Sequence, residues 1–306
     1  MHYSGFGQAI LAAAMAGGTV LFQETRHHPG LLDLMERHRA TLLYGPPTTL
    51  AGVAAAQRAE PRDLSCLRQV IAGSAPVVQS LVDDVRASLG ACTYSLWGMS
   101  EFGPITVSRL DDDPDWAARS HGRPIDAMEI RVDDREHPGR PAPVGRVRVR
   151  GASRALGYLG AQDAFTAAIS ADGWFDTGDL AREDGRGGIR ILSRARDAVV
   201  RDGEVVPLAE IEAALARHPA VAEATLLGVT GREDDPILAV VVVRGTTAPT
   251  LPELREHLLA GGVDRRFLPA LLDVVDALPK TLTGKVRKAE LRHGPDADPD
   301  PHRSPR

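Results

Sequence analysis

The sequence predicts an α/β protein: a large α/β domain, a β-rich barrel-like subdomain in its second half, and a small α+β domain at the C-terminus. Three observations carry this. Up to about residue 89, apolar residues at helical spacing alternate with short apolar runs that end at Gly or Pro. From about 127 the apolar period changes to two, and after Pro207 helical spacing returns between runs rich in Val.

Residues 8–16 read as a helix, 19–22 as a short strand, and 30–39 as a helix with Leu31, Leu34 and Met35 on one face. Residues 41–44 read as a strand entering a Gly45-Pro46-Pro47 turn. A strand over 69–72 stops at Gly73, and Val78, Leu81, Val82 and Val85 mark a helix over 77–89. The alternations at 128–132 and 146–150 are those of half-buried strands. Pro207 opens a helix with Ile211, Ala214 and Leu215 as its apolar stripe. Strands at 224–229, 237–243 and 272–277 and a helix at 251–260 complete the last unit, so the domains divide as 1–196 and 197–293. The segment 294–306, Pro-, Asp- and Arg-rich, is expected to be disordered.

A chain of 306 residues with 43% apolar and 25% charged content can bury two cores. The net charge of −5 provides no broad positive field, which argues against nucleic acid as a partner. No apolar run reaches the ~20 residues of a membrane span. Two cysteines, Cys66 and Cys92, lack metal-ligand spacing and point to a reducing, cytoplasmic setting. The apolar stretch 9–22 has no basic residue before it and is interrupted by Gly17-Gly18, unlike a secretory signal. Lys occurs only at 280, 285 and 288 among 36 basic residues. A chain that otherwise uses Arg has kept its ammonium groups together.

Five segments offer chemistry. In 278–288 a Thr283-Gly284 turn presents Lys285, whose compact charge on a flexible stem can neutralise a carboxylate and a phosphate together. In 176–179 a turn ends at Asp179, a carboxylate suited to both hydroxyls of a ribose. Trp97, Gly98, Met99, Ser100 and Glu101 combine a stacking ring, close backbone approach, a hydroxyl and a magnesium-compatible carboxylate. Gly73, Ser74 and Ala75 form a small-residue turn between strand and helix. Residues 193–204, with Arg194, Asp197 and Gly203, form a charged joint. Taken singly, each has a plain structural explanation: a solvated basic terminus, an ordinary turn, a buried Trp, surface charge.

Their order along the chain resembles the adenylate-forming superfamily of acyl-CoA synthetases, luciferases and peptide-synthetase adenylation domains. The likeness runs through HYSGFG at 2–7, YGPPTTL at 44–50, AGSAP at 72–76, WGMSE at 97–101 and HGRP at 121–124. It continues through RGASRALGYLG at 150–160, GWFDTGDL at 173–180, SRARDAVV at 193–200, VPLAEIEAAL at 206–215 and LPKTLTGKVRK at 278–288. It implies activation of a carboxylic acid by ATP with Mg2+, then transfer of the acyl group to a thiol, usually CoA. By that likeness Gly73, Ser74, Ala75 and Trp97 hold adenine, Ser100 contacts phosphate and Glu101 contacts Mg2+. Asp179 and Arg194 hold the ribose, and Lys285 assists adenylation. His2, Phe6, Ala72, Gly98 and Met99 line the acid pocket. Asp197 is the hinge of a C-terminal lid domain, and Gly203 lies on the CoA channel.

The same resemblance implies a large domain that is truncated here, because the family's phosphate-binding loop lies ahead of the segment matching 2–7; an upstream-encoded N-terminal half would supply it. Ser193, Asp202, Val205 and Arg146 depart from the family's usual Gly, Gly, Asn and Glu. Asp202 bears on the thiol step. The acid is expected to be fatty or aryl. Two alternatives stand beside the CoA ligase: a non-catalytic remnant that binds nucleotide or a partner, and an adenylation unit serving a carrier protein.

Overall fold

The computed structural model describes residues 10–23, 27–133, 144–229, 236–281 and 286–292. His2, Phe6, Lys285 and the segment 294–306 lie outside them. The chain divides into two units, Met1–Ile191 and Leu192–Arg306.

In the first unit, α1 (Ala12–Met15) is a single turn with no buried residue; residues 8 and 9 of the helix expected over 8–16 lie outside the described residues. Residues 19–22 form no strand: among the described residues no strand pairs with their backbone, and a strand exists only through such pairing. The helix α2 (His28–Arg37) buries Leu32 and Met35, with Leu31 and Leu34 half-buried beside them. Next come β1 (Leu42–Gly45) and α3 (Pro47–Ala59). The Pro46-Pro47 pair, expected as a turn, is the entry of that helix, with Pro47 at a first-turn position where no amide is needed.

The strands β2 (Gln69–Gly73) and β3 (Cys92–Met99) continue the sheet in parallel, separated by α4 (Gln79–Leu89), which Gly90 ends in left-handed conformation. Antiparallel β4 (Gly103–Val107) and β5 (Arg123–Pro124) finish the order β1-β2-β3-β4-β5. Its core joins Leu50 and Val53 of α3 to Val70 and Ala72 of β2 and Val82 and Val85 of α4.

The second sheet has the order β6 (Met128–Asp133), β7 (Gly145–Gly151), β8 (Phe175–Glu183), β9 (Ile189–Arg194), with the short helix α5 (Gln162–Ala167) between β7 and β8. The alternation read from the sequence is real, but β6 does not pair with β9, so the sheet is open and no barrel closes. Val147, Val149, Phe175, Ala181, Ile189 and Ile191 form its buried face. The other face carries cross-strand ion pairs such as Glu129 with Arg150.

In the second unit, β10 (Val200–Arg201) and β11 (Glu204–Val205) form a hairpin, and α6 (Leu208–Leu215) follows. The strand β12 (Val221–Gly228) pairs antiparallel with β13 (Ile237–Val243), which pairs in parallel with β14 (Leu271–Val275). Between the last two lies α7 (Leu251–Ala260), opened by a capping box of Thr250 and Glu253, and α8 (Lys288–Arg292) comes last. Ile211, Leu215, Leu226, Val241 and Leu254 are fully buried at its centre.

Candidate functional site

Ligands of open parallel sheets bind beyond the carboxyl ends of the strands. There the structure brings two of the expected segments together. Gly73, the last residue of β2, pairs with Leu96, so the turn that follows lies beside Trp97 at the end of β3. Ser74 adopts a left-handed backbone at φ +72, rare for a residue with a side chain, and Ser74 and Ala75 are exposed. A Cβ on Gly73 would lie 3.2 Å from Tyr44 Oη and 3.3 Å from the Leu96 carbonyl oxygen. Ala72 is taken up entirely by the core beneath the turn. Gly98 sits at an irregularity between β3 and β4, where a Cβ would fall 2.1 Å from the Gly103 carbonyl oxygen, so no side chain fits. Met99 is half-buried and Ser100 exposed.

Glu101 is held from a distant loop. Tyr158 Oη donates to its Oε1 at 2.5 Å, and the Ala155 amide donates to its backbone oxygen at 2.6 Å. Burial, then the hydrogen bond to Glu101 and its charge, push the Tyr158 phenol up to about 12. Tyr158 therefore remains a donor across the physiological range.

Asp179 does not end a turn. Residues 177–179 of β8 form a bulge opposite Val147, between the pairs Arg148 with Asp176 and Arg146 with Leu180. Thr177 Oγ1 donates to the Val147 carbonyl oxygen at 2.9 Å and accepts from the Asp179 amide at 3.1 Å. Gly178 takes φ +75, and its amide donates to Asp176 Oδ1 at 2.9 Å. Burial alternates along β8 without interruption, so Asp179, 4% exposed, faces the buried side with Phe175 and Ala181, the side whose cluster also receives Trp97 and Met99. Asp176 faces the other way. With Arg146 at 2.8 Å, Arg148 and Ser170 it bounds a cavity of about 470 Å³ on the open face of the sheet. That cavity holds none of the expected nucleotide residues, and its two guanidiniums are matched by Asp176 and Asp133.

The HGRP segment is a buckle between the sheets. His121, 3% exposed, accepts the Ile191 amide on Nδ1 at 3.1 Å, so its proton resides on Nε2. Burial, helped by the charge of Arg190, pushes this imidazole down to about 3. Gly122 has φ +84, and a Cβ there would strike the Val107 backbone at 2.0 Å.

In the second unit, Arg194 is exposed at the end of β9, and half-buried Asp197 closes a short 3-10 turn, Ala195–Asp197. Asp202 at φ +48 and Gly203 at φ +70 are the two left-handed residues of a tight hairpin turn, a place where Asp-Gly is favoured. Lys280 pairs with Glu223, and Lys288 Nζ donates to Glu212 Oε1 at 2.7 Å and to the Leu226 carbonyl oxygen at 2.9 Å. A bridge between Lys280 and Val286 joins the chain on either side of the segment carrying Lys285. Tyr158 and Arg190 were not singled out from the sequence. The aromatic within RALGYLG and the Arg between Ile189 and Ile191 are the only local signals of either.

Comparison with known proteins gives the family of the chain. A family model described as AMP-binding enzyme matches residues 1–159, and one described as AMP-binding enzyme C-terminal domain matches residues 210–285. The chain belongs to the AMP-binding enzyme family. It is 34% identical over 298 residues to a (7a-methyl-1,5-dioxo-octahydro-1H-inden-4-yl)propanoyl:CoA ligase of Mycobacterium tuberculosis, a match covering 95% of this chain and 56% of the relative. It is 30% identical over 286 residues to a 2,3-dihydroxybenzoate-AMP ligase of Bacillus subtilis, covering 92% and 53%. The crystal structure of ATP-bound MatB from Rhodopseudomonas palustris superposes with a TM-score of 0.81 at 29% identity, over 95% of this chain and 57% of that one. The chain thus spans somewhat more than half the length of the relatives it matches. No helix among the described residues is long and apolar enough to cross a membrane.

Proposed function

We propose that this chain is the C-terminal part of a cytoplasmic acid–thiol ligase that activates a carboxylic acid with ATP and passes the acyl group to CoA. The observation that carries this is that the Gly73, Ser74, Ala75 turn lies beside the end of β3, where Trp97 stands and the chain leads into Ser100 and Glu101, in a chain of this family. The exposed turn and the Trp97 ring take adenine, Asp179 with Arg194 takes the ribose, and Ser100 takes a phosphate oxygen. Mg2+ is held by one or two carboxylates together with phosphate oxygens and water, and half-buried Glu101, steadied by Tyr158, fits that donor set. The metal would neutralise charge on the phosphates. The acid lies against Gly98 and Met99, and His2, Phe6 and Ala72 belong to the same pocket.

Residues 1–196 act as the nucleotide-binding domain and 197–293 as a lid hinged at Asp197, with 294–306 as a tail. Lys285 offers its ammonium to the acid and phosphate during adenylation, and Gly203 lies along the thiol path. A fatty or aryl acid is the favoured substrate. An upstream-encoded half supplies the phosphate-binding loop.

The test is acid-dependent exchange of pyrophosphate into ATP by the purified chain, with and without the product of the reading frame upstream. Exchange is expected with that product; none in either case, with nucleotide still bound, would leave the non-catalytic remnant. The similarity to a 2,3-dihydroxybenzoate-AMP ligase, a name that specifies no CoA, supports a second reading in which a carrier protein replaces CoA. Comparing CoA with a phosphopantetheinyl carrier as acceptor separates the two.

A further inference from the structure

Between two core residues of β9, Ile189 and Ile191, stands an arginine that is itself only 4% exposed. Strand alternation turns its side chain to the opposite face, where Nη1 donates to the Val77 carbonyl oxygen at 3.2 Å, 113 residues away in sequence. Burying a guanidinium costs several kcal/mol unless hydrogen bonds compensate it, and an aliphatic residue would fill the same volume without that cost. Through this bond β9 holds the backbone at Val77.

That position is the exit of the Gly73, Ser74, Ala75 turn. Val77 is fully buried, and the intervening Pro76 restricts the backbone. The entry of the turn is fixed by Gly73, packed within reach of Tyr44 Oη and the Leu96 carbonyl oxygen. Between the two anchors Ser74 is kept at φ +72, a conformation that persists only where the surroundings over-determine it. We propose that Arg190 is a positioning residue for the nucleotide site: its guanidinium clamps Val77 and so fixes the backbone of residues 73–75 that faces the base. This rests on the nucleotide reading above and adds to it a residue that touches no ligand.

The test uses the full chain with Arg190→Met and Arg190→Lys, measuring AMP and GMP affinity by calorimetry and amide hydrogen exchange across 74–78. Arg190→Met is expected to weaken AMP binding about tenfold and to erode the preference of AMP over GMP, with faster exchange at 74–78 but not in α4 near Val85. Arg190→Lys, which keeps a donor and the charge, is expected to recover part of both, and decides the matter if the Met variant does not fold. Unchanged discrimination and unchanged exchange in a folded variant would overturn the proposal. Should the unaltered chain bind no AMP, the nucleotide reading fails, and hydrogen exchange still decides whether Arg190 holds the turn.

Discussion

Tyr158 and Glu101 are joined by a 2.5 Å hydrogen bond across 57 residues of sequence, tying the loop after β7 to the end of β3. A carboxylate placed to meet a metal loses entropy on binding only to the extent that it was free beforehand. The phenol removes that freedom without competing for charge, because its own ionisation is pushed up to about 12.

Tyr158→Phe is therefore expected to raise the Mg2+ concentration for half-maximal pyrophosphate exchange about tenfold, the lower end of the range for loss of an outer-shell partner. Thermal unfolding should change little, because the ring still packs edge-on against Phe165. Equal Mg2+ dependence in the two proteins would dissociate the pair from metal binding.

Acid should destabilise the first unit through His121. In the unfolded chain this imidazole takes up a proton below about pH 6.5, whereas in the fold it stays neutral until about 3. Stability is thus complete above 6.5 and declines as the pH falls toward 3. Between pH 7 and 5 this group contributes a loss of about 2 kcal/mol. Urea unfolding at both values should show that difference, reduced in His121→Gln. A difference unaffected by the substitution would place the acid sensitivity elsewhere.

Gly98→Ala puts a methyl 2.1 Å from the Gly103 carbonyl oxygen and must displace the β3–β4 hairpin. Gly90→Ala meets no atom within 4 Å and suffers only its left-handed backbone, about 1 kcal/mol. The first should unfold at clearly lower denaturant and lose nucleotide affinity. The second should retain affinity. Equal behaviour of the two would mean that the hairpin yields easily.

Lys288→Ala removes the ammonium shared by Glu212 and the Leu226 carbonyl, leaving a half-buried carboxylate without its cation. A loss of stability of about 1 to 3 kcal/mol is expected. Lys285→Ala should leave stability unchanged and abolish pyrophosphate exchange. The reverse pattern, read from unfolding curves and exchange rates together, would exchange the roles of the two lysines.

What the sequence revealed follows the range over which each feature is decided. The helix after Pro207 and the Val-rich strand β13 are set by local periodicity and were legible residue by residue. The Ala-rich helix α3 hides because its apolar face has little contrast and its Pro-Pro start mimics a turn. The bulge at Asp179 is invisible locally, since it exists only relative to Val147 on another strand. Residues 19–22 have strand composition but no strand beside them among the described residues. Of the site, the segments at 73–75 and 97–101 were found through their order along the chain. Tyr158 and Arg190 were not, because their partners lie 57 and 113 residues away.

Whether the buried carboxylate of β8 serves a nucleotide is settled by titrating AMP into the full chain and into Asp179→Asn by calorimetry. The unaltered chain should bind AMP with 1:1 stoichiometry, and the variant should bind at least tenfold more weakly, the cost of losing a charge-assisted bond to the ribose. Absence of binding by the unaltered chain, or equal affinity of a folded Asp179→Asn, would contradict the assignment of this site.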